Sequence, residues 1–468
     1  MPNYVRHVVT YHEPKFSPTQ ILAQLRHEHP GDGFLFDLTN PHPDHSDHLI
    51  YLGLHPLHRI IYQDGVITTD GHQHTEKLQP YLERLLAQYH FETTNQPLPF
   101  SGGLVGYLAY DYSRELVPQV PVTANPLGFA EAAFLVFTEV IGFNPQTHEV
   151  TLIQNLPAGE PETLADLRQE LDRLQAAGPT SPKLHLTQPL QPRFDQATYT
   201  ELIDQVVDHI YRGDIFQLIL ANPLQGQVRG DLLALYQELA GHYHCYLSCG
   251  DLQMATASPE TLLRKTGNHL ATFPLAGTRR RGRDAETDKQ MAHELLTDPK
   301  EHAEHNMLVD LGRNDLGAVS QFNSVRVNEH MQLHKYQQVM HLASTVESEI
   351  APEKSALDAL QAVFPAGTLS GAPKSSALKI IAQLEQQRRG LYGGTFGYLD
   401  FNGDCDFAIG IRLAQQKGPQ LLVQSGAGIV ADSIGSHEYQ ECFNKTRVIR
   451  KALARATQQE VLSDDFTD

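Results

Sequence analysis

Two apolar, β-forming runs joined at Asn402-Gly403, in FGYLDFNGDCDFAIGIR (396–412), constrain this chain more than any other stretch. Asn-Gly supplies the positive φ values that a tight hairpin turn needs, so antiparallel pairing is specified locally. Further runs rich in β-formers at 33–37, 49–52, 103–110 and 132–143 predict a sheet-containing region over 1–155. Pro157, Gly159 and Pro161, a charged helical stretch (ETLADLRQELDRLQAA), then GPTSP and QPLQP read as a surface connection over 156–194. In the remaining region, 195–460, Leu202, Val206, Val207 and Ile210 follow helical spacing over 198–211, and Gly213 stops that helix. A strand is predicted at 215–221 and helices at 285–312 and 435–455, the last entered through Asp432, Ser433 and Ser436 as caps.

A length of 468 residues permits two or three domains or one large unit. The net charge of −19 opposes non-specific binding to nucleic acid or to an anionic membrane. Four cysteines without a CxxC pair, no apolar run after a basic start and no apolar stretch of membrane-spanning length lead us to expect a reduced, cytoplasmic protein. The histidine-rich stretches HPDHSDH (42–48) and HQH (72–74) lack ligand spacing and read as solvated loops.

Glu301 and Glu304 share one helical face in PKEHAEHNMLVDL, and Glu438 and Glu441 do so in HEYQECFNK, with Lys445 one turn on. A single ExxE is ordinarily a solvated face. Two such helices brought together would need a cation between their carboxylates, and oxygen ligands favour Mg²⁺ over zinc. Glycine-bearing segments, Gly277-Thr278, 367–371 and Gly426-Ala427-Gly428, could cradle a substrate carboxylate with backbone N–H groups, although each alone is ordinarily a turn. GTLSGAPKSS has the wrong spacing to Lys374 for a phosphate loop, and DFNGDCD has Ile411 where a calcium loop needs Glu. TRRRGR (278–283) is too short and lacks the aromatics of a nucleic-acid site, and His341 alone reads as a core histidine.

The order of longer motifs adds a resemblance. YRGDIFQ (211–217), SPE (258–260), PLAGTRRRG (274–282), EHNMLVDLGRNDLG (304–317), VMHLASTV (339–346), FPAGTLSGAPK (364–374), RGLYGGTFGYLDFNGDCDFAIGIR (389–412), GAGIVADS (426–433) and EYQECFNK (438–445) resemble the chorismate-utilising enzymes. Within that family they are similar to component I of anthranilate synthase and of aminodeoxychorismate synthase. PFSGGLVGYLAYDYSREL (99–116) resembles the N-terminal part.

The resemblance implies an α+β fold, with large antiparallel β-sheets packed as a sandwich and flanked by helices. It implies Mg²⁺ held directly by Glu304 and Glu441, with Glu301 and Glu438 assisting through water. The metal would take the ring carboxylate of chorismate. Tyr392, Arg412 and the backbone of Gly426, Ala427 and Gly428 would take the enolpyruvyl carboxylate, with Lys445 adding positive charge. Glu260 would be the acid for the departing 4-hydroxyl, with His341 and Thr368 beside the ring. Gln217 stands where water-using relatives carry a lysine base, which implies attack by ammonia.

Ala276, in the PLAGT motif with Gly277 and Thr278, points to the tryptophan-pathway product anthranilate, released with pyruvate; aminodeoxychorismate synthases, on the folate route, commonly have lysine there. Ammonia would come from a separate glutamine amidotransferase subunit. LFDL (35–38) and LAGHYHC (239–245) replace the LLES and NPSPYM motifs of tryptophan-regulated members, so feedback by tryptophan is not implied. A non-catalytic chorismate-binding subunit is the reading from a different class.

Overall fold

Strands such as Ala132–Phe137 (AAFLVF) are buried at every position rather than at alternate ones. Such a strand must be covered on both faces, which places it inside a layered fold. The computed structural model describes residues 3–39, 48–91, 98–335 and 339–462. Among them, two large sheets of 13 and 12 strands stack face to face, and helices cover both outer surfaces. The pairing is antiparallel throughout except between Asn3–Tyr4 and His90–Phe91. This is the α+β sandwich anticipated above.

The layer between the sheets is aromatic. Phe36 and Tyr51 of the first sheet meet Phe396 and Tyr398 of the second, with ring centroids 6.3 and 6.1 Å apart. On the outer face of the first sheet lie helices Pro18–Glu28, Leu164–Ala176, Gln196–Tyr211 and Gly435–Thr457. On the outer face of the second lie Leu78–Leu86, Pro299–Gly317 and Ala356–Val363.

Both sheets run across the sequence regions 1–155 and 195–460. Strand Gly33–Thr39 pairs with Tyr243–Cys249, and Gly103–Leu108 pairs with Thr395–Asp400. The connecting segment also joins the fold: its helix buries Leu164, Leu167, Leu171 and Leu174, and Leu184–Pro192 is a strand at the end of the first sheet.

Local expectations hold with physical amendments. The apolar run 132–143 divides at Thr138 into Ala132–Phe137 in one sheet and Glu139–Asn144 in the other. Pro299 splits the helix expected at 285–312 into Ala285–Thr297 and Pro299–Gly317, because proline lacks the N–H that would continue the ladder. Asp298 caps the second helix by accepting from Lys300 N and Glu301 N. None of the three caps proposed for the last helix serves, since its N-cap is Ile434. The Asn402-Gly403 hairpin joins Thr395–Asp400 to Cys405–Ile409. His42 and His45 lie outside the described residues, HQH forms a short strand, and His48 bonds Asp37 at 2.6 Å.

Candidate active site

The hairpin's second strand ends at Ile409 in the second sheet, and the chain enters the first sheet at Leu413. Arg412 is the last residue of this crossover and takes φ of 48°, a conformation costly for a residue with a Cβ. Arg412 keeps solvent contact, and it lies close enough for its charge to act on both Glu260 and His341.

Glu260 lies on the adjoining turn before strand Thr261–Thr266. Burial pushes its carboxyl up to about 7, against the opposing pull of Thr368 and Arg412. Thr368, in the short turn Gly367–Leu369, donates to Glu260 Oε1 at 3.2 Å. Desolvation likewise lowers the pKa of Arg412, and Glu260 opposes that shift.

His341 lies on Val339–Glu349, and its Nδ1 donates to Gly277 O at 3.0 Å. A carbonyl only accepts, so Nδ1 carries the hydrogen in this arrangement. Burial is the main cause lowering the His341 pKa, which favours the neutral ring. Ala276 and Thr278 pair with Leu342 and His341, and the register slips between them, so Gly277 forms a bulge. Its φ of +64° suits glycine, and a Cβ there would lie 2.6 Å from Leu295 Cδ1 and 3.0 Å from Glu301 Oε2. The bulge is thus pressed against the first acidic helix.

Glu304 is raised in pKa by burial first and then by the charges of Glu301 and Glu441, with Lys300 and Lys445 opposing. Glu438 is raised by burial and by Glu441, with Ser433, Lys445 and Lys300 opposing. Residues of helices Pro299–Gly317 and Gly435–Thr457 therefore act on each other electrostatically. Glu301 is ion-paired with Arg279 at 3.1 Å and Glu441 with Lys445 at 2.6 Å. Among the described residues, no three His, Cys, Asp or Glu side chains converge closely enough to hold a metal ion as they stand. The acids are thus near enough for their charges to act on one another without forming a closed ligand shell.

Lys445 also donates to Gly426 O at 2.9 Å. Strand Gln420–Ile429 is paired by Leu413–Lys417 only as far as Val423, so one edge is open from there on. The Lys445 bond places Gly426 on that edge, and the two-residue period of a strand places Gly428 there too. Ala427 falls between them, paired with Leu220. A Cβ on Gly426 would lie 2.7 Å from Leu220 O and 3.0 Å from the hydroxyl of Tyr392. Tyr392 is 4% exposed, and burial raises its pKa strongly. Gln217, 9% exposed, pairs with Ala372 at the start of strand Gln217–Gly230, the neighbour of the glycine-bearing strand.

Gln217 is linked to these elements through its backbone alone, and Thr278 through its pairing with His341. Three participants have no role in the sequence reading above. Arg279 neutralises Glu301, Lys300 acts on both acidic helices, and the buried pair Arg389–Glu385 lies behind Tyr392. The i, i+4 spacing of Glu385 and Arg389 after an apolar helix is the one signal for that pair. The basic run is engaged internally: Arg279 with Asp298 and Glu301, Arg281 with Asp288. Lys374 of the rejected phosphate loop pairs with Asp315 at 3.0 Å.

Gathered here are two acidic helices whose charges act on each other, a lysine bonded to a glycine-bearing strand, and a carboxyl able to hold a proton near neutrality. The chain belongs to the chorismate binding enzyme family, whose model matches residues 38–451. It is 41% identical over 403 residues to anthranilate synthase component 1 of Thermus thermophilus, covering 84% of this chain and 86% of that one. It is 37% identical over 417 residues to aminodeoxychorismate synthase component 1 of Bacillus subtilis, covering 86% and 88%. The crystal structure of anthranilate synthase component I from Streptococcus pneumoniae aligns with a TM-score of 0.77 at 33% identity, covering 86% of this chain and 92% of that one. MenF, the isochorismate synthase of Escherichia coli, shares the fold at 21% identity, with a TM-score of 0.71 over 97% and 95%.

Proposed function

We propose that this chain is the chorismate-converting subunit of an anthranilate synthase. It would take chorismate and ammonia to anthranilate, pyruvate and water, as a cytoplasmic enzyme of tryptophan biosynthesis. The observation that carries the reading is Glu260, a carboxyl raised to about 7, bonded by Thr368 and facing Arg412. At that pKa it can hold a proton for the departing 4-hydroxyl at neutral pH. Ammonia attacks C2 as water leaves, and loss of the C2 proton with pyruvate restores the aromatic ring. His341 lies beside this chemistry with its proton held on Nδ1 by Gly277. Arg412, Tyr392 and the N–H groups of Gly426 and Gly428 hold the enolpyruvyl carboxylate.

The donor set fits Mg²⁺. Four carboxylates on two facing helices offer hard oxygen ligands, and the like charges that raise Glu304 are relieved by a divalent cation. Glu304 and Glu441 would hold it, with Glu301 and Glu438 behind them. When bound, it supplies positive charge for the ring carboxylate. A glutamine amidotransferase subunit would deliver ammonia, in keeping with the component 1 names of the relatives.

Ala276 and the several anthranilate synthase relatives favour C2 amination with loss of pyruvate. One observation favours the folate-route reading. Asp37, in the LFDL segment, is bonded to His48 at 2.6 Å and faces His244 at 3.7 Å, so the place of the usual effector motifs is filled from within. Incubating the pure chain with chorismate, Mg²⁺ and ammonium separates the two. Fluorescent anthranilate with stoichiometric pyruvate is expected. An aminated product that keeps its enolpyruvyl group would transfer the chain to the folate route, and no turnover would leave only a binding subunit.

A further inference from the structure

The candidate site residues come from separate elements, and one buried ion pair that the chemistry does not use bonds two of them, strand Gln217–Gly230 and the turn Gly367–Leu369, and lies against Tyr392. Arg389 and Glu385 are 2% and 4% exposed. Arg389 Nε and Nη2 donate to Glu385 at 2.8 and 2.6 Å. The remaining donors go to main-chain carbonyls: Nη1 to Leu369 O and Nη2 to Ile219 O, both at 2.8 Å. Glu385 Oε1 accepts from Ala221 N at 2.8 Å. Ile219 and Ala221 belong to the strand that pairs with Gly428 and Gly426, and Leu369 is the residue after Thr368. The guanidinium also lies 4.2 Å from the ring centroid of Tyr110 and 5.8 Å from that of Tyr392.

A buried ion pair is weak ground for stability, since apolar side chains of similar volume often serve as well. The planar fork adds direction, because it can hold a carboxylate and two carbonyls at set angles. Lysine cannot reproduce that arrangement. Backbone bonds fix the fork's own position: Asp111 accepts from Arg389 N and Gly390 N at 3.3 and 2.9 Å, and Gln415 Nε2 donates to Arg389 O at 3.1 Å.

We propose that Arg389, held by Glu385, is a positioning residue that sets Thr368 against Glu260 and so fixes which carboxyl oxygen presents the proton. The inference rests on Glu260 being the acid of the reaction proposed above. Thr368 donates to Oε1, which makes that oxygen the acceptor and leaves Oε2 to carry the proton toward the substrate. Thr368 and Arg412 are the groups that act on the Glu260 carboxyl, both favouring its charged form. If the turn Gly367–Leu369 loses its anchor at Leu369 O, Thr368 drifts and the charged carboxyl loses a hydrogen bond.

The test is kcat against pH in the full chain, at saturating chorismate and Mg²⁺ and constant free ammonia. It compares Arg389→Lys, Thr368→Val, the double variant and Glu260→Gln. Thr368→Val moves the alkaline limb up by about one pH unit, the worth of a hydrogen bond to a charged group. Arg389→Lys moves it the same way by a comparable amount, and the double variant moves it no further than either single change. An unmoved limb in either single variant, with kcat lowered evenly at all pH, overturns the proposal, as does full additivity. Survival of the wild-type limb in Glu260→Gln would instead defeat the acid assignment. Should Arg389→Lys fail to fold, the pair Glu385→Met with Arg389→Met removes both charges at similar volume, and the same limb is read.

Discussion

Glu260 is the residue at which burial and chemistry meet most directly. Its pKa, raised to about 7, means that the protonated form predominates below neutrality and is lost above it. The expected outcome is a kcat that falls about tenfold per pH unit once the pH passes about 7. In Glu260→Gln, kcat should drop by at least about a hundredfold and this limb should disappear, read by steady-state kinetics over pH 6–9. A variant that kept both the rate and the limb would remove Glu260 from the chemistry. Glu260 drew notice only through the SPE motif, because nothing in the local sequence announces that a residue between two strands will be desolvated. His341 shows the same limit: an apolar setting reads as core, and only the Gly277 carbonyl opposite reveals a fixed tautomer.

Among the elements, the glycine-bearing strand and the Gly277 bulge show how little room there is for a side chain at either glycine. Gly426→Ala would bring a methyl group to 2.7 Å from Leu220 O and 3.0 Å from the Tyr392 hydroxyl. We expect a rise of about tenfold or more in KM for chorismate, with a much smaller change in kcat. An unchanged KM would argue that this edge does not touch substrate. Gly277→Ala adds a left-handed backbone penalty to its clashes with Leu295 and Glu301. It should cost about 1 kcal/mol or more in stability by denaturant titration, and wild-type stability would contradict the bulge geometry.

Helices and strands were widely legible because their periodicity and turn residues act locally. The misjudged boundaries fell where tertiary structure intervened. The run 132–143 is continuously apolar because both its halves are buried, and no local signal tells that Thr138 passes it from one sheet to the other. Pro299 was visible, yet a proline at the first turn of a new helix looks like one inside a single long helix until the cap at Asp298 is seen.

Across the whole molecule, the paired sheets bury carboxyls that accept from backbone N–H groups, as Asp111 and Asp400 do. Asp400 is fully buried, and desolvation raises its pKa to about 6, opposed by N–H groups of Asn402 and Ser101. A carboxyl raised in the folded state contributes stability below its unfolded pKa and loses it as pH rises through the folded value. Between pH 4 and 7, wild type should therefore lose stability relative to Asp400→Asn by up to about 3 kcal/mol, whatever fixed difference the lost hydrogen bond introduces. Thermal melts of both proteins across that window check the sign, and a pH-independent difference would contradict it. The stacking of the sheets was implied by family resemblance rather than by pattern, because alternation is erased where both faces are covered. The convergence of the two ExxE helices was readable as a possibility from spacing alone. The Glu441–Lys445 pair was readable as an i, i+4 contact on one helix, whereas the pairing of Arg279 with Glu301 was not, since it joins two separate segments.

In the proposed function the two acidic helices jointly hold one divalent cation against which chorismate lies. Calorimetric titration of Mg²⁺ into the chain, with and without chorismate, tests it most directly. One Mg²⁺ per chain is predicted, bound more tightly with chorismate present by the factor that Mg²⁺ lends to chorismate, and lost in a folded Glu304→Gln variant. Equal Mg²⁺ affinity in that variant, or no mutual effect of the two ligands, would contradict the account.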